Sequence, residues 1–90
     1  MLPVEPIIVM EAKHPITLGR LFLLKLNSDY EKPWAVCWDY KPKTHSYKHL
    51  QYHACLDMAV NDFIYRVGIN GMVPVSVNLT NIDKTEERNE

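Results

Sequence analysis

The segment from Thr44 to Val67, THSYKHLQYHACLDMAVNDFIYRV, constrains the fold more than any other, because it is the only long stretch with helical periodicity. At about 100° per residue, His45, His49, Tyr52, His53, Leu56, Val60, Phe63, Ile64 and Val67 fall on one broad stripe. Gln51, Asp57, Asn61, Asp62 and Arg66 fall on the opposite side. Lys41, Pro42 and Lys43 close off what precedes, and Gly68 supplies the left-handed conformation that commonly ends a helix. The pattern predicts one long helix over 44–67.

The other apolar runs are short and read as strands. Ile7, Ile8, Val9 and Met10 form a first strand with the character of an edge, interrupted by Lys13, His14 and Pro15, so that His14 falls in a connection. Leu18 to Leu26 places Leu18, Phe22, Leu24 and Leu26 on one face of a strand and Leu21, Leu23 and Lys25 on the other, as a strand buried on both faces would. A short helix from Thr17 would also group Leu18, Leu21, Phe22 and Leu26. The polar cluster Asn27 to Pro33 that follows is a hairpin signal and favours the strand.

Trp34 to Tyr40 alternates cleanly, with Trp34, Val36, Trp38 and Tyr40 on one face and Ala35, Cys37 and Asp39 on the other. Met72 to Leu79 alternates again, turning Val73, Val75, Val77 and Leu79 to the core, and Pro74 suits a sheet edge or a strand start. The expected architecture is β-β-β-α-β, an α+β two-layer domain over residues 1–79 in which one helix covers a mainly antiparallel sheet. Residues 80–90 are charged and read as a flexible tail.

Ninety residues suffice for one hydrophobic core, and a hydrophobic content of 47% is that of a chain that folds without a cofactor. Ten Lys plus Arg against eleven Asp plus Glu leave a net charge of −1, so any attraction to nucleic acid or an anionic surface must be local. The opening MLPVEPIIVM has neither the basic nor the long apolar part of a signal peptide, and no run approaches the roughly 20 residues of a membrane span. A soluble, cytoplasmic protein without membrane contact is expected. Cys37 and Cys55 are too few for a disulfide framework; both are expected reduced and buried.

Three groupings could carry chemistry. His45, His49 and His53 repeat every four residues, so two of them could share a zinc ion on one helix face, yet Leu50 stands where the zinc-protease pattern needs a glutamate. Their position on the core stripe favours simple packing over metal ligation. Trp38, Tyr40, Lys41, Lys43, His45, Tyr47, Lys48 and His49 interleave basic and aromatic side chains around the expected helix start. Free backbone N–H groups there favour an anion, and lysines oppose the helix dipole unless an anionic ligand or acidic partner meets them. Finally, Leu50, Ala54, Met58 and Tyr65 form a second apolar stripe suited to another chain.

Cysteine nucleophiles gain no support, because Cys55 and His53 diverge by about 200° on a helix. The sequence therefore predicts a non-enzymatic binding module of inhibitor type, which occupies a protein partner through Lys41, Lys43, His45, Tyr47, Lys48, His49, Leu50 and Met58, with homodimerisation through the long helix. Small virus-encoded antagonists of host proteins share this general character, an analogy of type alone. The competing expectation is a nucleotide or nucleic-acid phosphate binder at the start of the helix.

Overall fold

Alternating leucines on a short central strand decide the layering. A computed structural model of the chain describes residues 6–26 and 30–77. Five strands, β1 (Ile7–Lys13), β2 (Arg20–Lys25), β3 (Trp34–Lys41), β4 (Ser46–His53) and β5 (Val73–Val77), form one sheet in the order β4-β3-β2-β1-β5. Every pairing is antiparallel. A single helix, α1 (Leu56–Asn70), links β4 to β5. The α+β class, with one helix on an antiparallel sheet, is as the pattern predicts.

Within β2, Leu21 and Leu23 point to the helix side and join Val9, Trp34, Val36, Ala59 and Phe63 in the principal core. Phe22 and Leu24 point the other way and join Leu26, Ala35, Cys37 and Tyr40 in a second cluster. This is the predicted two-sided burial, and it settles the strand reading over the helical one. Lys25, also buried, lays its ammonium 5.5 Å from the ring centroid of Trp34, its cross-strand partner. That cation–π contact and its apolar stem explain how a lysine sits inside the sheet.

The long helix is corrected at both ends. Residues 46–53 form β4, and α1 begins at Leu56. Pro42 to His45 make a hairpin turn, closed by the His45 N–H donating to the Lys41 carbonyl at 2.8 Å with His45 at φ 55°. A proline followed by polar residues and a left-handed closing residue is ordinary hairpin chemistry, and tyrosines at 47 and 52 favour a strand. Helical spacing proper starts with Leu56 and continues through Ala59, Val60, Phe63 and Val67. The helix ends at Asn70 with Gly71, not Gly68, in the left-handed conformation at φ 62°.

Two strands also sit differently from expectation. β1 lies between β2 and β5 and is not an edge. β5 is the edge strand that Pro74 suggested, but Val73, Val75 and Val77 are exposed, not turned into the core. His14 does lie in a connection, where its Nδ1 accepts the N–H groups of Ile16 and Thr17, each at 3.1 Å. The Asn27–Asp29 part of the β2–β3 loop, the end of the expected last strand and the charged tail 80–90 lie outside the described residues.

Both cysteines are free. Cys37 is buried as expected, whereas Cys55 is exposed at the N-cap of α1. Burial pushes the Cys37 thiol up to about 12, with Arg66 pulling weakly the other way. Since reactivity follows the thiolate, a native-state titration with a thiol reagent at pH 8 should label Cys55 and leave Cys37 unlabelled until denaturant is added. Rapid labelling of two thiols in the folded protein would contradict this burial. Because the folded value lies above the usual 9.0, the burial of Cys37 favours folding fully below that pH. The contribution is lost as pH rises from about 9 to about 12.

Candidate functional site

On the sheet face away from α1, the β3–β4 hairpin and the start of β2 enclose a cleft of about 440 Å³. Its position follows from irregularities in strand pairing. Between Trp38 and Lys41 the β3–β4 register shifts, and Asp39 adopts φ 51°. Such a bulge re-aims the side chains beyond it. Trp38 therefore packs on the helix-side core while Tyr40 joins the opposite cluster, although simple alternation places both on one face. Tyr40 thus becomes a wall of the cleft.

The cleft has an aromatic floor and a charged rim. Phe22 from β2 meets Tyr40 edge-on, with ring centroids 6.0 Å apart and planes at 76°, and Tyr47 from β4 joins them in the lining. Leu18, in the turn before β2, completes the apolar part. Around this floor stand Arg20, Lys41 and Lys48 against the one carboxylate Asp39, so the lining carries a net charge of +2. Ser46 completes the lining, and its hydroxyl pairs with that of Thr44 at 2.9 Å.

The rim charges differ in how far they are already engaged. Arg20 is ion-paired with Glu11 on the neighbouring strand. Asp39 accepts the backbone N–H of Arg20 at 3.0 Å and faces the Lys48 ammonium at 3.9 Å, a long, exposed pair worth little on its own. Lys41 has no carboxylate within ion-pair distance among the described residues. The wall thus offers Lys41 and a weakly held Lys48 to an incoming anion.

Backbone cost gathers around the same place. Among the described residues, four non-glycine residues have positive φ: Leu18 at 62°, Asp39 at 51°, His45 at 55° and His49 at 51°. Leu18 and Asp39 line the cleft, and His45 and His49 flank its β4 wall. Left-handed conformations of this kind cost on the order of 1 kcal/mol each and persist where the surrounding structure holds them. The Nδ1 of His45 is shielded from solvent and makes no hydrogen bond among the described residues.

The sequence-derived site divides accordingly. Lys41, Tyr47 and Lys48 come together in the cleft, on a hairpin and not at a helix start, so the helix-dipole reason for an anion there does not apply. Lys43 is exposed on the hairpin turn beside the cleft but outside its lining. Leu50 lies on β4, packed against the second apolar cluster, and Ala54 lies between β4 and α1. The stripe that joined them to Met58 and Tyr65 therefore does not exist; the latter two remain exposed on α1.

The histidines are likewise separated. His45 is in the turn, while His49 and His53 are on β4, where positions four apart lie about 13 Å from one another. No three His, Cys, Asp or Glu side chains come together among the described residues in a way that could hold a metal ion. His53 instead bonds Asp62 of α1 at 2.8 Å, and Arg66 donates from Nε to the same carboxylate at 2.9 Å and from Nη1 to the His49 carbonyl at 3.3 Å. This network fastens the outer strand β4 to the helix.

Arg20, Phe22, Asp39 and Leu18 were not legible as site residues from local pattern. They reach the cleft because β2 pairs with β3 in a register that sets Phe22 opposite Cys37 and Leu21 opposite Trp38. No helix of the described residues is long and apolar enough to cross a membrane. No protein-family model, curated protein or solved structure matches this chain.

Proposed function

We propose that the protein is a non-enzymatic binding module that occupies a protein partner, receiving an acidic, aromatic-bearing segment of that partner in the cleft between β2, β3 and β4. The carrying observation is the union of an aromatic floor, Phe22, Tyr40 and Tyr47, with a rim of net charge +2 in one cleft of about 440 Å³. Aromatic anchors surrounded by charge that fixes orientation are the usual anatomy of a peptide-recognition surface. The left-handed residues around the cleft support the same reading, since backbone held in a costly shape before binding reduces the ordering cost of association.

The lining contains neither histidine nor cysteine, and its single serine hydroxyl is engaged with Thr44, which favours binding over nucleophilic chemistry. A nucleotide or nucleic-acid phosphate is the competing occupant. Against it stands the chain's net charge of −1, which provides no long-range pull on a polyanion.

Calorimetric titration with a glutamate- and tyrosine-containing peptide, beside ATP and a thymidine oligonucleotide, separates the two. Saturable binding of the peptide is expected, weakening several-fold between 50 and 500 mM salt as the rim charges are screened, on the order of the Debye length falling from about 14 Å to about 4 Å. Binding of ATP or the oligonucleotide with no heat from the peptide would replace this reading by the phosphate one.

A further inference from the structure

We infer that Asp39 is a specificity-determining residue of the cleft: its carboxylate occupies the place at Lys48 that an acid of the partner segment takes, so that binding proceeds by exchange of one carboxylate for another. The inference rests on the reading of the cleft as a site for an acidic segment, and it names where in the cleft the acid is received.

The three cations of the lining are not equivalent. Arg20 is ion-paired with Glu11 of β1, on the side of β2 away from the β3–β4 hairpin, and that carboxylate is only 17% exposed. Arg20 is thereby tied into the sheet. Lys41 has no carboxylate within ion-pair distance among the described residues. Lys48 faces Asp39 at 3.9 Å, with 71% of the lysine side chain and 36% of the aspartate side chain exposed. A long pair open to water is weak and readily exchanged.

Asp39 does not depend on Lys48 for its position. Its Oδ1 accepts the backbone N–H of Arg20 at 3.0 Å, next to Leu21 and Trp38, where the pairing of β2 with β3 begins. One carboxylate oxygen is therefore fixed to the backbone of β2, while the other is turned towards Lys48 on β4. The strand bulge and the left-handed φ of 51° at Asp39 belong to the same arrangement.

An acid arriving at Lys48 displaces only the weak contact. Asp39 stays behind at the rim, because the Arg20 N–H still holds it, and the arriving carboxylate lies beside a fixed like charge. A neutral segment leaves the internal pair intact and meets no such opposition. Asp39 thus sets the ratio by which the cleft prefers acidic to neutral segments, and holds it below what Lys41 and Lys48 would give alone.

Calorimetric titration of wild type and Asp39→Asn with the glutamate–tyrosine peptide and its glutamine–tyrosine twin tests this. Asparagine keeps an oxygen for the Arg20 N–H and tolerates a positive φ, so circular dichroism should be unchanged, while the charge of the lining rises from +2 to +3. The acidic peptide should bind the variant about three- to tenfold more tightly than wild type, the effect of removing one like charge about 5 Å away at a water-exposed site, and the neutral twin should change by less than about twofold. The gain should persist in a Lys41→Gln background and vanish in a Lys48→Gln background, a coupling that overall charge alone does not produce. Asp39→Gly, which also admits a positive φ, should show the same gain and serves if the asparagine variant fails to fold. No gain in either folded variant, or a gain that survives Lys48→Gln, overturns the inference and leaves the cleft reading in place. An acidic peptide that binds none of these proteins removes both together.

Discussion

Replacing Phe63 by alanine is expected to destabilise the domain by about 3–5 kcal/mol, the range for removing a buried aromatic ring from a packed core. Phe63 is 2% exposed. It is the one large helix side chain fully enclosed among the described residues, since Ala59 is small and Leu56, Val60 and Val67 are only partly buried. Its ring therefore seats α1 on the leucines of β2 and on Val36. Because domains of this size have about 5–10 kcal/mol of stability to lose, a single such cavity should lower the urea midpoint by roughly half. Met58→Ala, half-exposed on the same helix, should cost no more than about 0.5 kcal/mol of stability. A change below about 1 kcal/mol at Phe63 would mean that the helix is seated by something else.

Charge reversal in the cleft should have the largest effect on function. Lys41→Glu with Lys48→Glu turns the lining from a net +2 to −2. Like charges set against an acidic segment cost several kcal/mol, so affinity for the glutamate–tyrosine peptide should fall by about 100-fold or more. Folding should not suffer, because Lys41 is exposed and the Lys48 side chain is 71% exposed, its only ion pair among the described residues being the long one to Asp39. Lys43→Glu makes half that change of charge, on the hairpin turn but outside the lining, and should weaken binding less than about threefold by screened, longer-range attraction. Equal losses from Lys43→Glu and from the double variant would show that overall charge matters and the cleft does not.

The layering was legible because it depends on neighbours in sequence. Leu21 and Leu23 against Phe22 and Leu24 announce a two-sided strand, and Trp34 to Cys37 alternates without interruption. The extent of the helix was not legible from periodicity alone. His45, His49, Tyr52 and His53 extend the wheel of Leu56 to Val67 backwards without a break, but the tyrosines and the Pro42 turn belong to a hairpin, and tertiary pairing with β3 won. Lys41, Lys48 and Tyr47 do come together, but not for the reason that their spacing suggested. They converge because a hairpin folds them against β2, and the dipole of a helix has no part in it. Arg20 and Phe22 could not be found at all without the β2–β3 register.

The bulge at Asp39 makes the cleft more sensitive to the backbone conformation of one residue than to the length of the strand. Face assignment along a strand is a matter of parity. Asn or Gly at position 39 would hold the left-handed conformation and so keep Tyr40 beside Phe22. Deleting that one residue would set Tyr40 directly after Trp38 and so still across the sheet from it, whereas a return of residue 39 to an extended φ would carry Tyr40 to the side of Trp38 and dismantle the cleft with each of its side chains still in the sequence. Descendants of this protein should therefore accept Asn, Gly or a single-residue gap at this site and reject valine or isoleucine, whose branched side chains resist a positive φ.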